Sequence, residues 1–146
     1  MNIKFRIADI NDIEKIIELC NECFNENTDI EYAKKVYEKT KNDENQIYLV
    51  GEVDDKIVAH TKITVIPTIY GEMRTYAILN HVCVKEEYRR HHFGSKMLDE
   101  CERICKEKGC VAIDLWSMNF RQPAHACYNN YGFEAKDAKF FSKKLD

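Results

Sequence analysis

Apolar residues recur with two different periods along the first part of the chain. Residues 3–7 alternate between polar and apolar side chains in the manner of a strand. Asp9 has the character of a helix N-cap, and after it a set of apolar residues recurs at helical spacing. The members of this set are Ile13, Ile16, Ile17, Cys20, Cys23 and Phe24. The capping box from Thr28 to Glu31 predicts a second helix that ends near Lys41.

The middle of the chain changes to the two-residue period of β structure. The stretches Gln46–Val53 and Lys56–Ile66 lie on either side of Asp54-Asp55, which predicts a hairpin with a tight turn. Residues 67–71 interrupt the second stretch, and residues 73–84 form a third β run. The pattern therefore predicts three consecutive strands.

Helices and strands alternate in the second half of the chain. A helix is predicted from about Phe93 to Lys108, with Gly109 where a C′ glycine ends a helix. The nearly continuous apolar run from Cys110 to Trp116 contains Asp114 and predicts a central strand that is covered on both faces. We therefore expect Asp114 to need a partner, because an unpaired buried carboxylate is costly.

The C-terminal part is predicted to contain one more helix and a final pair of strands. A loop over Phe120 to Pro123 leads into a short helix that ends before Gly132, and residues 133–145 alternate at Phe141 and Leu145. The complete order is β-α-α-β-β-β-α-β-α-β. This order predicts a mixed sheet with helices on its faces, an α/β or α+β architecture.

The composition fits a single globular domain over residues 1–146. Hydrophobic residues make up 45% of the chain, which is close to the globular average. The 22 basic and 25 acidic residues give a net charge of −3, so the charge gives no reason to expect a nucleic-acid partner. The chain has neither the ~18-residue apolar stretch of a membrane span nor the apolar core of a signal peptide. We therefore expect a cytoplasmic protein with no membrane partner.

The seven cysteines are predicted to be reduced thiols. Their number is odd and no export signal is present, which argues against a disulfide framework. Cys20 and Cys23 have the C-x-x-C spacing of zinc and redox sites. No second pair follows at finger spacing, and both residues fit the apolar stripe of the first helix. Packing is therefore the favoured interpretation, as it is for the i, i+4 pair Cys101 and Cys105, and no metal is expected.

A basic loop connects the third β run to the following helix. The segment from Lys85 to His92 has Tyr88 as its only apolar residue, and it includes Arg89 and Arg90. A helix N-terminus presents unpaired N–H groups that suit phosphate, and Gly94 lets an anion approach the backbone. The segment therefore predicts a pyrophosphate site, although a solvated surface loop has the same composition. The glycine patterns of P-loop and dinucleotide sites are absent.

The run from Tyr88 to Leu98 resembles the acetyl-coenzyme A loop of the GNAT family of N-acetyltransferases. The pattern of that loop is Arg/Gln-x-x-Gly-x-Gly/Ala after a hydrophobic strand. Arg89 matches its first position and Gly94 its last, while His92 stands where the pattern usually has glycine.

A second resemblance lies downstream. The segment from Arg121 through Ala124 and Tyr128 to Gly132-Phe133 is similar to the Asn/Arg-x-x-Ala-x-x-Phe-Tyr-x-x-x-Gly-Phe segment of the same family. Cys127 replaces the usual aromatic residue. Because one helix and one strand separate the two motifs, as in the family, the resemblance covers essentially residues 1–146.

The resemblance implies a GNAT fold, with a mostly antiparallel sheet that splays between strands 4 and 5, and acetyl-CoA as co-substrate without a metal. It implies that strand 4 binds the pantetheine arm and that the loop amides hold the pyrophosphate. The expected acetyl-CoA contacts are Val82, Cys83, Val84, Arg89, Arg90, His91, His92, Phe93, Gly94, Ser95 and Asn119. The implied reaction is direct attack of an amine on the thioester. A covalent intermediate on Cys83 or Cys127 is not expected.

Two residues are predicted to move protons. Tyr128 matches the family's tyrosine, which protonates the leaving thiolate, although it could also be a packed aromatic residue. His81 precedes Val82 and can accept a proton near neutral pH, although it could also be a half-buried sheet histidine. The alternatives for the base are water held by Asn80, and Asp114, for which a structural role is favoured. Weaker candidates for the site are His60, His125 and Trp116.

The acceptor is predicted to be a small molecule. The segment that is expected to border the acceptor pocket is acidic and contains Glu22, Glu26, Asp29 and Glu31, which would attract a cationic amine. The C-terminal segments are similar to small-amine acetyltransferases, including the aminoalkylphosphonate type. The alternatives are a peptide N-terminus, a lysine side chain, a polyamine or an aminoglycoside. A module that binds acyl-CoA without catalysis is a further alternative, and a homodimer is left open.

Overall fold

The computed structural model describes residues 1–119 and 121–146. These residues form two compact units, Met1–Trp116 and Ser117–Asp146. Phe120, the first residue of the predicted loop 120–123, lies outside the described residues. No helix in the described ranges is long and apolar enough to cross a bilayer.

The first unit contains three helices and five strands. The helices are α1 (Ile13–Phe24), α2 (Ile30–Thr40) and α3 (Phe93–Glu107), and the strands are β1 (Lys4–Ile7), β2 (Gln46–Val53), β3 (Lys56–Ile66), β4 (Tyr76–Val84) and β5 (Ile113–Leu115). Short 3-10 turns precede α1 at Ile10–Asp12 and follow β4 at Glu86–Tyr88. The second unit contains α4 (Gln122–Tyr131).

The strands form one mixed sheet in the order β1-β2-β3-β4-β5. The first three pairings are antiparallel and β4 pairs with β5 in parallel. The predicted hairpin is confirmed, because Val53 pairs with Lys56 across Asp54 and Asp55. Both aspartates have positive φ, 50° and 63°, as a two-residue hairpin requires for its twist to match that of the strands.

Helices cover both faces of the sheet, as predicted. Successive strand residues point to opposite faces, and the neighbours Leu49 and Val50 are 1% and 0% exposed. One apolar cluster joins α1 and α2 to Val50 and Cys83. A second joins Phe93, the first residue of α3, to Val53 and other strand residues. Burial on both sides fixes the register of the central strands.

The helix ends follow local chemistry, with one correction. Asp9 caps the 3-10 turn that opens α1, where its side chain accepts a hydrogen bond from the Asn11 amide. Gly109 follows α3 with φ 79°. The N-cap of α2 is Asp29 rather than Thr28, because the Asp29 carboxylate accepts from the Tyr32 amide at 2.9 Å. The N-cap is therefore one residue later than predicted, and the predicted capping box of Thr28 and Glu31 is wrong, because the N3 residue is Tyr32.

Two predictions about the second half of the chain are wrong. Only Ile113–Leu115 of the predicted strand 110–116 is a strand, and Asp114 is exposed rather than buried. Residues 133–146 contain no strand, and Phe141 and Leu145 are 86% and 83% exposed. Alternation reports the side-chain period only, whereas a strand also needs a neighbour for its backbone groups.

The predicted splay between strands 4 and 5 is confirmed. Pairing of β4 with β5 runs from Ala77–Ile113 to Leu79–Leu115, and β4 then continues to Val84 without β5 beside it. A bulge follows the last pair, because His81 and Val82 together oppose one residue of β3. Since a bulged strand bends and twists more strongly, β4 leaves β5 at this point.

Candidate active site

The end of β4 presents two consecutive exposed side chains. In a regular strand Asn80 and His81 would point to opposite faces, but His81 has φ 55° and both residues are exposed. The Thr61 hydroxyl donates to the Asn80 carbonyl at 2.9 Å and thereby holds the bulge. Beyond it, Cys83 is buried, while Val82 and Val84 are half-buried. The predicted pantetheine strand therefore begins directly after a conformational irregularity.

The basic loop after β4 has a defined path. Arg89 turns back, so that its Nε donates to the Val84 carbonyl at 2.9 Å. Arg90 and His92 both have left-handed backbone conformations, with φ 69° and 61°. This conformation costs a non-glycine residue roughly 1 kcal/mol. The glycine expected at the His92 position would adopt it without strain, so histidine preserves the loop path at an energetic cost.

The first turn of α3 fits a diphosphate. No side chain caps this end, and no acidic residue lies in the first turn. The Lys96 amide donates to the His92 carbonyl. The amides of Phe93, Gly94 and Ser95 come before this first hydrogen bond of the helix. Among residues 1–119 and 121–146 they have no hydrogen-bond acceptor. These amides, together with the guanidinium of Arg90, can hold phosphate oxygens.

His81 is paired with a carboxylate that lies far from it in the sequence. Its Nε2 lies 3.0 and 3.1 Å from the two carboxylate oxygens of Glu26. The ring of Phe24 packs edge-on against the imidazole, with 4.9 Å between centroids. Glu26 follows α1 after Asn25, which is left-handed. Asn21 fixes this loop, since its side chain accepts from the Thr28 amide at 3.0 Å.

The ion pair sets the tautomer of His81. An ionised carboxylate only accepts hydrogen bonds, so Nε2 must carry the proton that it donates to Glu26. The other ring nitrogen, Nδ1, then keeps its lone pair and can accept a proton. Both side chains are partly exposed, at 43% and 38%, so an amine from solution can reach them. The pair has the arrangement of a general base with an orienting carboxylate.

The second unit holds the other predicted proton carrier. Pro123 lies in the first turn of α4, a position that suits proline. Tyr128 is half-buried on this helix, and its ring packs edge-on against Phe133 with 5.9 Å between centroids. Gly132 ends the helix with φ 120°. Asn119 lies before α4, where its carbonyl accepts from the Gln122 side chain at 2.6 Å.

A comparison with protein families identifies the class of this site. The model of the acetyltransferase (GNAT) family matches residues 13–133, which include the β4–α3 loop and α4. The chain belongs to the GNAT acetyltransferase family. Acetyl transfer is therefore the general activity of the class to which this domain belongs.

Solved structures agree on the fold. A transcriptional regulator from Bacillus halodurans superposes with a TM-score of 0.89 and is 20% identical over 99% of this chain and 100% of its own. Glucosamine-6-phosphate N-acetyltransferase from Arabidopsis thaliana gives 0.82 at 21% identity, covering 100% of both chains. An acetyltransferase from Clostridium acetobutylicum, solved with acetyl-CoA, superposes with a TM-score of 0.78. It is 18% identical over 97% of this chain and 96% of its own. The GNAT fold of this chain is thus shared over its full length.

The other histidine of the GNAT sheet has a structural role. His60 is 4% exposed, and its Nδ1 lies 2.8 Å from the Leu49 carbonyl. Because burial disfavours the charged ring, the pKa of His60 falls to about 4. His60 is therefore neutral at physiological pH and donates to a backbone carbonyl. His125 lies half-buried on α4, and exposed Asp114 does not need the structural partner that we predicted.

A group of thiols lies beneath the GNAT loop. From the sequence, Cys20 and Cys23 were assigned to packing, and Cys83 was predicted to contact acetyl-CoA. Cys20 and Cys83 are buried, and Cys23 is half-buried. The Cys83 thiol donates to the His60 carbonyl at 3.6 Å, and Cys23 packs against the apolar cluster that contains Cys20 and Cys83. Cys23 Sγ also lies 3.8 Å from Nη2 of Arg89 and 3.7 Å from the Val84 carbonyl oxygen. No group of three or more ligating side chains in the described ranges is arranged to hold a metal.

Proposed function

We propose that this GNAT domain is an acetyl-CoA-dependent N-acetyltransferase that acetylates the primary amine of a small molecule. The observation that carries the proposal is the course of β4. The strand separates from β5 after Leu79 and leads through the basic loop 85–92 to the uncapped N-terminus of α3. An exposed edge followed by an anion site suits an extended amide-containing arm that ends in a diphosphate.

The residues present fit acetyl-CoA. When it is bound, acetyl-CoA supplies an acetyl group activated as a thioester. Backbone groups of Val82, Cys83 and Val84 would bind the pantetheine arm. The loop from Arg89 to Ser95 would hold the pyrophosphate, with Arg89 itself keeping the loop against the strand through the Val84 carbonyl. Asn119 is a further proposed contact, and no metal is required.

His81 is the proposed base. An alkyl amine is protonated near neutral pH, and only its neutral form can attack a carbonyl carbon. His81 Nδ1 takes the proton of the amine, directly or through water held by Asn80. Glu26 keeps the ring in the required tautomer and stabilises the imidazolium that forms. Charge on the acyl oxygen would be met by a backbone N–H near Cys83 or Val84.

Tyr128 is the proposed acid. Its hydroxyl donates a proton to the leaving thiolate, the role that the family resemblance assigns to this position. The pKa of an ordinary phenol, ~10, lies close enough to that of a thiol for transfer in this direction. The amine attacks the thioester directly, so Cys83 and Cys127 form no acyl-enzyme.

Charge near His81 favours a cationic small acceptor. Glu26 touches the proposed base, and three more acidic residues lie on α1 and at the start of α2. They are Glu22, Asp29 and Glu31. A protonated amine would be drawn to this end of α1 before it loses its proton. The Arabidopsis enzyme bears the name of an amino-sugar phosphate, which is an acceptor of the proposed size.

The test is a mass-spectrometric screen for acetylated products. The panel holds an amino-sugar phosphate, an aminoglycoside, a polyamine, an aminoalkylphosphonate and a peptide with a free N-terminus. We expect one or more small amines to be acetylated in the presence of acetyl-CoA. Binding of acetyl-CoA without acetylation of any amine would instead support a binding module. Acetylation of the peptide alone would move the acceptor to the protein class.

A matched pair of variants tests the proton carriers. Tyr128→Phe is expected to lower kcat by about tenfold to a hundredfold with little change in KM, because the phenol acts only as the bond breaks. His125→Gln changes the half-buried histidine of the same helix and should leave kcat nearly unchanged. A large loss in His125→Gln with full activity in Tyr128→Phe would reverse the assignment.

A further inference from the structure

The geometry points to a redox modification site at the thiols beneath the loop. We propose that a hydroperoxide oxidises Cys23 and that Cys23 then forms a disulfide with Cys83, which weakens acetyl-CoA binding. The proposed disulfide rests on the packing of Cys23 against the cluster that contains Cys83. Its effect on acetyl-CoA rests on the proposed function.

Cys23 is the accessible member of the thiol group. It lies in the last turn of α1 and is half-buried, whereas Cys20, one turn earlier, and Cys83 on β4 are 4% and 5% exposed. A peroxide can therefore reach Cys23 first. Cys23 packs against the cluster that contains Cys83, and its Sγ lies 3.7 Å from the carbonyl oxygen of Val84, the next residue of β4. A second thiol is therefore close to the site of oxidation.

The surroundings of Cys23 stabilise its thiolate. A hydrogen bond from Cys83 and the guanidinium of Arg89 hold the pKa of Cys23 below that of an ordinary thiol, against the opposing effects of burial and of Glu22. Hydrogen bonding to its two neighbours and burial raise the pKa of Cys83. Cys23 is thus the nucleophile, and Cys83 remains protonated beside it.

The two steps balance. The Cys23 thiolate attacks one oxygen of the hydroperoxide, the O–O bond breaks, and the alkoxide that leaves takes a proton from water. Cys23 is now a sulfenic acid. The Cys83 sulfur attacks the Cys23 sulfur, the S–O bond breaks, and the thiol proton of Cys83 leaves with the hydroxyl group as water. Two thiols have lost two electrons, and the hydroperoxide has been reduced to an alcohol and water.

The disulfide would alter the start of the proposed cofactor loop. In the reduced protein, Arg89 binds the Val84 carbonyl through Nε and lies beside Cys23 through Nη2. Oxidation removes the thiolate that the guanidinium faces. Arg89 and Val84 border the strand and loop that are proposed to hold acetyl-CoA. We therefore expect lower affinity in the oxidised protein, restored by a dithiol reductant.

The experiment uses the full chain treated with hydrogen peroxide. Intact mass spectrometry should show the loss of two hydrogens, and peptide mapping should identify a Cys23–Cys83 link. Cys23→Ser should abolish the link, whereas Cys110→Ser, at a half-buried thiol whose pKa is raised by burial, should leave it intact. A link between Cys20 and Cys83, or oxidation of Cys23 without any link, would overturn the assignment.

Calorimetric titration then measures the functional consequence. The Kd for acetyl-CoA should rise by about tenfold on oxidation and return after dithiol treatment. Cys23→Ser treated with peroxide should keep its affinity. An oxidised protein with unchanged affinity would overturn the coupling but not the disulfide. Reduced protein that fails to bind acetyl-CoA would instead refute the proposed function, while the disulfide is still judged by its mass.

Discussion

The β2–β3 hairpin and the β4–α3 junction both contain residues in the left-handed backbone conformation, but for different reasons. At the hairpin, Asp54 and Asp55 are left-handed because the twist of the two strands demands it. At the junction, three left-handed residues lie where no hairpin twist requires them: His81, Arg90 and His92. Strain that the fold does not require is a pointer to a binding site, and here it lies on either side of the proposed acetyl-CoA strand.

The two regions also treat histidine differently. His60, on the hairpin strand β3, is buried, neutral and bonded to a backbone carbonyl. His81, on β4, is exposed and paired with a carboxylate. The bulge at His81 and Val82 follows the last residue pair of β4 with β5, Leu79–Leu115. One histidine therefore supports the sheet, and the other is available for chemistry.

The largest expected effect is a loss of acetyltransferase activity when His81 is replaced. His81→Gln should lower kcat by about a hundredfold or more, because the proposed base is lost, while the free energy of unfolding changes little at this exposed position. Glu26→Gln should lower kcat less and shift the pH profile, since the ring loses its orienting charge. Steady-state kinetics across pH and urea denaturation of both variants provide the measurement. An active His81→Gln would remove the distinction between the two regions.

The next effect concerns stability and pH at His60. Its pKa is about 4 in the folded chain and ~6.5 unfolded, so the unfolded state binds more protons between these values. Stability therefore rises with pH across this window and is lost as pH falls. From about pH 7 to about pH 5 the loss is about 2 kcal/mol.

Urea denaturation at both pH values checks this expectation. His60→Gln should lower stability at neutral pH and should lose this part of the pH dependence. The unchanged protein provides the reference slope. An unchanged slope in His60→Gln would contradict the assignment of His60 as a buried neutral residue.

A smaller effect compares one left-handed residue from each region. His92→Gly and Asp55→Gly both relieve a positive φ, and each should stabilise the fold by about 0.5–1 kcal/mol. Only His92→Gly lies in the proposed cofactor loop, so only it should change the Kd for acetyl-CoA, by a few-fold. Thermal melting and calorimetric titration measure both quantities. Equal changes in Kd in the two variants would show that the left-handed conformation of His92 has no specific effect on acetyl-CoA binding.

The smallest expected effect is a difference in thiol reactivity. Cys23 should react with iodoacetamide severalfold faster than Cys110 at neutral pH, and its rate should level off below the pH expected for a free cysteine, ~8.5. The charged and titratable groups around Cys23 are Arg89, Glu22, Cys20 and Cys83. Arg89→Met should reduce the difference, because the guanidinium is one of the groups that lower the pKa of Cys23. Peptide mass spectrometry follows the two rates of alkylation. Equal rates at Cys23 and Cys110 would count against an activated thiol.

Local sequence signals predicted the hairpin and the anion loop, because each is encoded by neighbouring residues. The alternation on either side of Asp54-Asp55 gave the bounds of β2 and β3 as the structure has them. Arg89 and Gly94 marked the loop and the start of α3. The family resemblance supplied the splay of the sheet, which no single-strand pattern contains.

The rest of the candidate site depends on contacts between residues that are distant in sequence. Glu26 and His81 are 55 residues apart, and Cys23 and Arg89 are 66 apart. Periodicity placed Cys23 on the packed face of α1 but could not show that it lies at the edge of that face. The bulge at His81 arises from its pairing with β3, and the final β pair failed because its alternation had no neighbouring strand.

Thermal melting of the reduced protein with and without acetyl-CoA tests most directly whether the β4–α3 junction binds this co-substrate. At about 100 times its Kd, a ligand that binds only the folded state adds about 2.7 kcal/mol, which corresponds to a shift of several degrees. We expect this shift with acetyl-CoA and a smaller one with 3′-dephospho or desulfo analogues. No shift at millimolar acetyl-CoA would contradict the central claim, because the strained loop would then have no ligand to explain it.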